Sequence, residues 1–423
     1  MDSRKWIREG MQDMPVIDTH EHLETEAARI AHGRDFIGLF MTHYASTDVM
    51  LAGMPPAQMA LLQGDRLDVR EKWAILRPYW DLCRNTAYFR TLLRACIDLY
   101  GITHVDDDTY LQLNEAVLAA NRRGWYRQVL KDVCHIECCV LDDLFITDPD
   151  AIVVPEPEYY REAAKYDHWI RIGDGEPEGC PLHRNKGTLN SLQAYTALLG
   201  ETVAAAKRDR GIVAIKSAIA YERTLAIEPV PFRTAERVFD RVLRGENLTA
   251  AERKPLQDWL LHALFGLAGD LSLPVQIHTG LLEGIGNDLR QARPTQLIPI
   301  FREHPGVRFD VFHTGYPYGA EIGAIAKMLP NVWVDLCWTH VISQEYAVRM
   351  LEEYLEILPS NKILGFGGDY IFVEGTYAHL QFAKENIAET LALRIEKGRL
   401  DRSDALGLAR RLLYDNPKAF FGV

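Results

Sequence analysis

Two histidines separated by one residue, His20 and His22, follow the apolar run PVID and lie within the stretch VIDTHEHL. In a β-strand the side chains at positions i and i+2 point to the same face, so these two imidazoles are predicted to converge. Converging imidazoles suggest a metal ion if further ligands can be found elsewhere in the chain.

Further polar residues stand at the ends of other short apolar runs. They are Asp142, Arg171, Lys216, His278, His313 and Asp369. Imidazole and carboxylate suit zinc, iron, nickel or manganese, and we expect one or two divalent ions per chain, with zinc as the first choice. Such an ion lowers the pKa of a bound water toward ~7 and polarises a carbonyl group.

The elements that would position these residues alternate between strands and helices. Eight apolar runs are each followed by a helix-like stretch: PVID, IECCVL near residue 138, WIRI near 170, IVAIK to 216, PVQIH to 278, VRFDVFH to 313, VWVDL to 336 and ILGF to 366. Alternating strands and helices predict parallel βαβ units, and eight of them predict an α/β fold of the (β/α)8 TIM-barrel type. Active sites of such barrels lie at the carboxyl ends of the strands, where these polar residues stand.

More than a hundred residues separate the first two predicted strands, too many for an ordinary loop. Residues 24–131 contain stretches such as EKWAILRPYWDLCRN with apolar residues at helical spacing, and Gly101 and Gly124 stand where helix C-caps are expected. We therefore expect a distorted barrel that forms a single domain over residues 1–423, with a helical insertion over residues 24–131 that covers the barrel mouth.

Composition narrows the range of partners. The net charge of −12 would repel nucleic acid and anionic membranes, and no apolar segment is long enough to span a bilayer. We expect a cytoplasmic enzyme with a small-molecule substrate, assembled as a homo-oligomer. The seven cysteines are expected to be mostly free thiols, and a metal site at Cys134, Cys138 and Cys139 is not expected.

These motifs together resemble the amidohydrolase superfamily, and more narrowly its amidohydrolase-2 branch. The resemblance rests on VIDTHEHL, QIHTG, FHTGYPYGAEIGAIAKMLPNVWVDLCW and GGDY. It implies that His20, His22, His278 and Asp369 hold the metal, and that Asp369 also accepts a proton from the attacking water. It further implies that His313 binds a second metal or orients water or substrate, and that Lys216, as a carbamate, bridges two metals. A substrate-binding ammonium and an ordinary salt bridge remain alternatives for Lys216.

Two more segments resemble particular branches of the superfamily. The stretch IVAIKSAIAYER is similar to the amidohydrolase-like domain fused to some glutamine synthetases. The stretch DFIGLFMTHYASTDVMLAGM resembles a region of uronate isomerases with the pattern His-Tyr-Lys-Trp-Arg, and VLDDL resembles their second strand. Here Ala45 to Asp48 follow His43 and Tyr44, so the arginine that holds the sugar acid in that family has no match.

Three residues are expected near the substrate. Arg171 could bind a substrate carboxylate through its bidentate guanidinium, or form a salt bridge with Asp142 or Asp143. Tyr221 could reach the barrel mouth or start a solvated helix, and His340 could contact substrate or support a ligand from the rim.

The sequence thus predicts a metal-dependent hydrolase that cleaves an amide, lactone or ester bond of a small polar acid. A sugar-acid isomerase, a decarboxylase and a non-catalytic barrel are the alternatives. Release of a new acid or amine distinguishes hydrolysis from isomerisation, and release of carbon dioxide identifies a decarboxylase.

Overall fold

The computed structural model describes residues 2–142, 156–173, 180–184 and 189–423. Within these residues eight parallel strands form one sheet in chain order, which confirms the predicted (β/α)8 TIM barrel. The strands are β1 Val16–Glu21, β2 Ile136–Leu141, β3 Tyr160–Lys165, β4 Ala214–Ser217, β5 Val275–Ile277, β6 Phe309–Val311, β7 Val332–Asp335 and β8 Ile363–Leu364.

The barrel is closed by hydrogen bonds between β1 and the segment that follows β8. The amide of Thr19 donates to the carbonyl of Phe366 at 3.2 Å, and the amide of Asp369 donates to that of His20 at 2.8 Å. The second of these bonds joins His20 and Asp369, the first and last predicted metal ligands in the chain, through their own backbone.

Helices surround the sheet and extend beyond its carboxyl end. They are α1 Ser3–Gly10, α2 Glu26–His32, α3 Phe36–Phe40, α4 His43–Leu51, α5 Pro56–Gln63, α6 Val69–Cys83, α7 Ala87–Tyr100, α8 Tyr110–Ala120, α9 Asp167–Ile170, α10 Pro181–Arg184, α11 Leu192–Ala205, α12 Phe232–Leu243, α13 Ala250–Asp270, α14 Ile298–Glu303, α15 Gly319–Met328, α16 Thr339–Ile342, α17 Gln344–Ile357, α18 Val373–Glu396, α19 Arg402–Arg410 and α20 Asn416–Phe421. Among the described residues, none of these helices combines the length and apolar character that a bilayer-spanning segment requires.

One predicted strand was wrong. WIRI was predicted as the third strand, but Trp169 and Ile170 lie in the short helix α9, and the third strand is the preceding segment YREAAK. Ala163 and Ala164 of β3 pair with β4, where small side chains fit between neighbouring strands. Arg171 therefore follows a helix rather than ending a strand.

The segment between β1 and β2 is helical, from α2 to α8. The side chain of Asp68 and that of Glu71 form a reciprocal capping box at the start of α6, and Gly101 caps α7 with a φ of 69°. Gly124 does not cap α8, which ends at Ala120. Apolar residues of these helices form one cluster with residues beyond the ends of β6, β7 and β8, for example where Phe40 stacks on Phe372 at 5.7 Å.

A buried ion pair ties the α2 to α8 segment to the barrel. Arg29 of α2 makes two hydrogen bonds of 2.7 Å to the carboxylate of Glu374 in α18, and Trp125 and Tyr100 also donate to that carboxylate. Burial alone would raise the pKa of Glu374, but the charge of Arg29 lowers it below its usual value. Because both side chains are buried, losing one partner leaves the other without its counter-charge.

The substitution Arg29→Met is expected to lower the free energy of unfolding by about 3–5 kcal/mol, because Glu374 keeps its buried charge. Arg77→Met removes the surface ion pairs of Arg77 with Asp81 and Asp107 in the same segment and is expected to change the free energy of unfolding far less. Chemical denaturation of both variants tests this difference. Equal losses would show that the buried pair does not join the two parts.

Candidate metal centre

The strands bring the predicted ligands to one point at the carboxyl end of the barrel. His20 lies in β1 and His22 directly follows it, with ring centroids 4.8 Å apart. His278 follows β5, and His313 lies in a short 3-10 turn after β6. All four rings surround Asp369, which lies beyond β8.

Distances to the carboxylate of Asp369 define the cluster. Its Oδ1 lies 3.1 Å from His22 Nε2 and 3.7 Å from His20 Nε2, and its Oδ2 lies 3.8 Å from His313 Nε2. His313 Nε2 lies 3.1 Å from His278 Nδ1. The shortest contacts pair His22 with Asp369 and His278 with His313, while longer contacts bring His20 and His313 to the same carboxylate.

Hydrogen bonds on the far side of each ring show which nitrogen carries the proton. His22 Nδ1 donates to the carbonyl of Asp142 at 2.7 Å, His313 Nδ1 to that of Cys337 at 3.0 Å, and His278 Nε2 to that of Leu281 at 2.9 Å. His20 Nδ1 lies 3.2 Å from the amide oxygen of Gln276. In a neutral ring the other nitrogen then carries a lone pair, and these lone pairs face Asp369 and one another.

Lone pairs on ring nitrogens and carboxylate oxygens that face one another at 3.1–3.8 Å repel each other unless a cation lies between them. Ligands about 2.1 Å from a tetrahedral ion stand about 3.4 Å apart, which is close to the separations seen here. The donor set and its spacing therefore fit a divalent metal ion.

Burial shapes the pKa values of these groups. It lowers the pKa of His313 to about 4 and those of His20 and His278 well below the usual value, with the charge of Lys216 a further cause for His20. Burial also raises the pKa of Asp369, but the hydrogen bond and charge of His22 outweigh it and leave the pKa well below its usual range. Neutral imidazoles at His20, His278 and His313 beside an ionised carboxylate are the protonation states that metal binding requires.

Lys216 of β4 lies within the same cluster. Its Nζ is 3.4 Å from His20 Nε2 and 3.9 Å from the centre of the Phe312 ring. Burial lowers the pKa of Lys216, which favours an uncharged amine.

The turn that carries Asp369 is fixed by two buried carboxyl groups. The amide of Gly368 donates to Asp18 Oδ1 at 2.9 Å, and the amide of Tyr370 donates to Glu21 Oε2 at 2.7 Å. Asp369 itself has a φ of 55°, which is unusual for a residue with a side chain. Burial raises the pKa of Asp18 to about 7 and that of Glu21 well above its usual value, so this pair holds a proton near neutral pH.

A cavity of about 490 Å³ opens above the cluster. Besides His22, Lys216, His278 and Asp369, its lining includes His43, Tyr44, Asp142, Lys165, Asp167, His168, Arg171, Tyr221, Glu222 and Glu283. Its size and mixed polar lining suit a small polar molecule.

The three predicted substrate residues have different positions. Arg171 lines the cavity, and its Nη1 lies 2.9 Å from Glu222 Oε1; Asp142 pairs instead with Lys165 at 2.9 Å, and Asp143 lies outside the described residues. Tyr221 also lines the cavity, with its ring 4.7 Å from that of His278.

His340 is not near the cavity. It is fully buried, its Nε2 donates to the carbonyl of Gly365 at 3.0 Å, and its Nδ1 accepts from Asn386 at 3.1 Å. Both ring nitrogens are therefore engaged inside the protein, under the turn that leads to Asp369.

The sequence did not identify three residues that line the cavity: Lys165, Asp167 and His168. They end or follow β3, whereas the predicted third strand WIRI begins only at Trp169, so the signal for finding them was the polar end of YREAAK. Asp167 accepts from the amide of Ala218 at 2.7 Å and from the hydroxyl of Ser217 at 3.1 Å, and so connects the ends of β3 and β4.

The fold and the cluster define the class of protein: a (β/α)8 barrel with a candidate metal-binding site at the carboxyl ends of its strands. The family model described as amidohydrolase matches residues 228–423, which include His278, His313 and Asp369. This match confirms the predicted resemblance to amidohydrolases.

The chain is similar to several known proteins. The protein fluG of Emericella nidulans is 27% identical over 263 residues, which cover 57% of this chain and only 30% of fluG. The crystal structure of uronate isomerase from Thermotoga maritima superposes with a TM-score of 0.81 at 17% identity, covering 99% of this chain and 97% of that one. A putative metal-dependent hydrolase from Lactobacillus casei superposes with a TM-score of 0.67 at 17% identity, covering 98% and 97%. The uronate isomerase structure bears out the predicted similarity to that family at the level of the fold.

The substitution Gly368→Ala is expected to displace Asp369, because a Cβ at this position would overlap the carboxylate of Glu21. We expect it to lower the free energy of unfolding by about 1–3 kcal/mol and to weaken zinc binding. Gly266→Ala in α13 is the matched control, because no described atom outside its own stretch of helix lies within 4 Å of the added Cβ, and it should be neutral or stabilising. If both variants have the stability and the zinc affinity of the unmodified protein, the turn does not depend on the close approach of Gly368 to Glu21.

Proposed function

We propose that this protein is a metal-dependent hydrolase that cleaves an amide, lactone or ester bond of a small polar acid with activated water. The observation that carries the proposal is the arrangement of two groups of lone pairs beside one buried lysine. His20 and His22 with Asp369 form the first group, and His278 with His313 form the second. Two such groups suit two ions.

Lys216 is suited to join the two groups as a carbamate. Its neutral Nζ would form a bond to the carbon of carbon dioxide and release one proton to solvent, which leaves an anion with two oxygens. A protonated Lys216 would instead repel cations held by His20, 3.4 Å away. The ring of Phe312 would stabilise that ammonium form by a cation–π contact, so we expect the carbamate to form together with metal loading.

Each remaining group has a role that follows from its position. A bound divalent ion would supply the Lewis acidity that polarises a carbonyl group and acidifies water. The ionised carboxylate of Asp369 is placed to accept the proton of the attacking water and to pass it to the leaving group. Arg171 and Lys165 line the cavity beside Glu222 and Asp142, so a substrate carboxylate would compete with these two acidic groups.

A second candidate is an isomerase of sugar acids. Tyr44 favours it, because this residue lies in the segment that resembles uronate isomerases and its hydroxyl group reaches the cavity, 3.3 Å from the carbonyl of Leu281. The two functions differ in their products: hydrolysis adds one water and gives two fragments or an opened ring, whereas isomerisation leaves the mass unchanged.

The test is mass spectrometry of metal-loaded protein incubated with amides, lactones and esters of small acids, and with uronates. We expect products that contain one added water. A uronate isomer of unchanged mass, with no water added to any substrate, would favour the isomerase instead, and release of carbon dioxide would identify a decarboxylase.

The substitution Lys216→Ala should lower kcat/KM about 100-fold or more, because the anion between the two groups is lost. Added formate or propionate should restore part of the activity, since a free carboxylate can enter the space left by the side chain. Lys5→Ala in the exposed first helix is the control and should leave kcat/KM unchanged. Full activity of Lys216→Ala without added carboxylate would contradict the bridging role.

A further inference from the structure

Three of the four histidines in the cluster are fixed by the backbone. His22, His278 and His313 each donate to a main-chain carbonyl, which no substitution of a neighbouring side chain removes. His20 differs, because its Nδ1 faces the side chain of Gln276 at 3.2 Å. The state of His20 therefore depends on the residue at position 276.

The amide of Gln276 can have only one orientation. Its side chain is fully buried in β5, and one end lies 2.9 Å from the carbonyl of Thr19 and 3.0 Å from Asp310 Oδ2. A main-chain carbonyl can only accept, so this end must be the NH2 group. The amide oxygen then faces His20, and only a ring with its proton on Nδ1 can donate to it.

From this geometry we infer that Gln276 is a positioning residue that holds His20 in the tautomer with the lone pair on Nε2 and so sets the affinity of the site for its metal ion. The inference rests on the metal centre of the proposed function and goes beyond it in naming what prepares the ligand. An imidazole without such a partner can carry its proton on either nitrogen, and a proton on Nε2 would block ligation.

Asp310 completes the support of Gln276. Asp310 and Asp335 are fully buried and hydrogen-bond to each other, and burial raises the pKa of Asp335 to about 7 and that of Asp310 well above its usual value. One proton is thus held between them near neutral pH, and Asp310 accepts from Gln276 with its other oxygen. An asparagine at 310 would reproduce this arrangement, with its oxygen toward Gln276 and its NH2 toward Asp335.

The test measures zinc affinity by competition with a chromophoric chelator, on metal-free protein, with no activity assay. Gln276→Met, which keeps the length but removes the acceptor, should weaken zinc binding about 10–100-fold. Gln276→Glu keeps an oxygen opposite Nδ1 and should bind zinc at least as tightly as the unmodified protein. Asp310→Asn should leave the affinity unchanged.

Thermal unfolding of the same metal-free variants distinguishes a role of Gln276 in orienting His20 from a general contribution of Gln276 to stability. Gln276→Glu places a carboxylate oxygen against the carbonyl of Thr19, so it should destabilise the metal-free protein while zinc binding is kept. Equal weakening of zinc binding in the Met and Glu variants, in line with their lost stability, would overturn the inference. Unchanged affinity in Gln276→Met would overturn it too.

The outcomes also distinguish this inference from the proposed function. If the unmodified protein binds zinc and Gln276→Met binds it equally well, the inference fails and the metal centre stands. If the unmodified protein binds neither zinc nor manganese, the proposed function fails and the inference fails with it. Should Gln276→Met not fold, the zinc affinity of Gln276→Glu decides, since a loss of binding there contradicts the tautomer argument.

Discussion

The repulsion between lone pairs around Asp369 is the constraint on which the rest of the site depends. Four imidazole nitrogens and a carboxylate approach within 3.1–3.8 Å inside the barrel, and each ring has its proton on the far side. Such a cluster is stable only with positive charge at its centre, supplied by protons or by a metal ion. Burial disfavours extra protons on His20, His278 and His313, because it lowers the pKa values of these three residues.

Further buried polar groups in the surrounding structure hold these ligands in place. Asp18 and Glu21 hold the turn before and after Asp369, and their carboxyl groups retain a proton because burial raises their pKa values. Gln276 and Asp310 extend this network to His20 from β5 and β6. A hydrophobic interior of the same volume would be simpler to stabilise, so the network is better explained by the ligands it orients.

Much of the site could be predicted from the sequence because barrel chemistry lies at strand ends, where an apolar run stops at a polar residue. His20, His278 and His313 could be found in this way, since each ends a run whose strand was correctly placed. The third strand was misplaced because YREAAK lacks β-branched residues, whereas WIRI has them, although its first two residues end a short helix. Tertiary pairing of small alanines outweighed local preference, and the error hid Lys165 at the cavity.

Other features could not be read from the sequence because they depend on partners far apart in the chain. Gln276 stands between two apolar residues of β5 and gives no local sign that its neighbours are Thr19, Asp310 and His20. His340 follows the seventh strand, a position that suggests the barrel rim, yet its ring nitrogens hydrogen-bond to Gly365 and Asn386 inside the protein. Carbamylation of a lysine, as proposed for Lys216, would leave no trace in the sequence.

The most direct test of the central claim is the metal content per chain, measured by plasma mass spectrometry on untagged protein purified without chelator or added metal. The account predicts about two divalent ions per chain. About one ion would contradict the carbamate bridge and leave Lys216 to act on substrate. No metal, with none bound after dialysis against zinc or manganese, would contradict the metal centre itself.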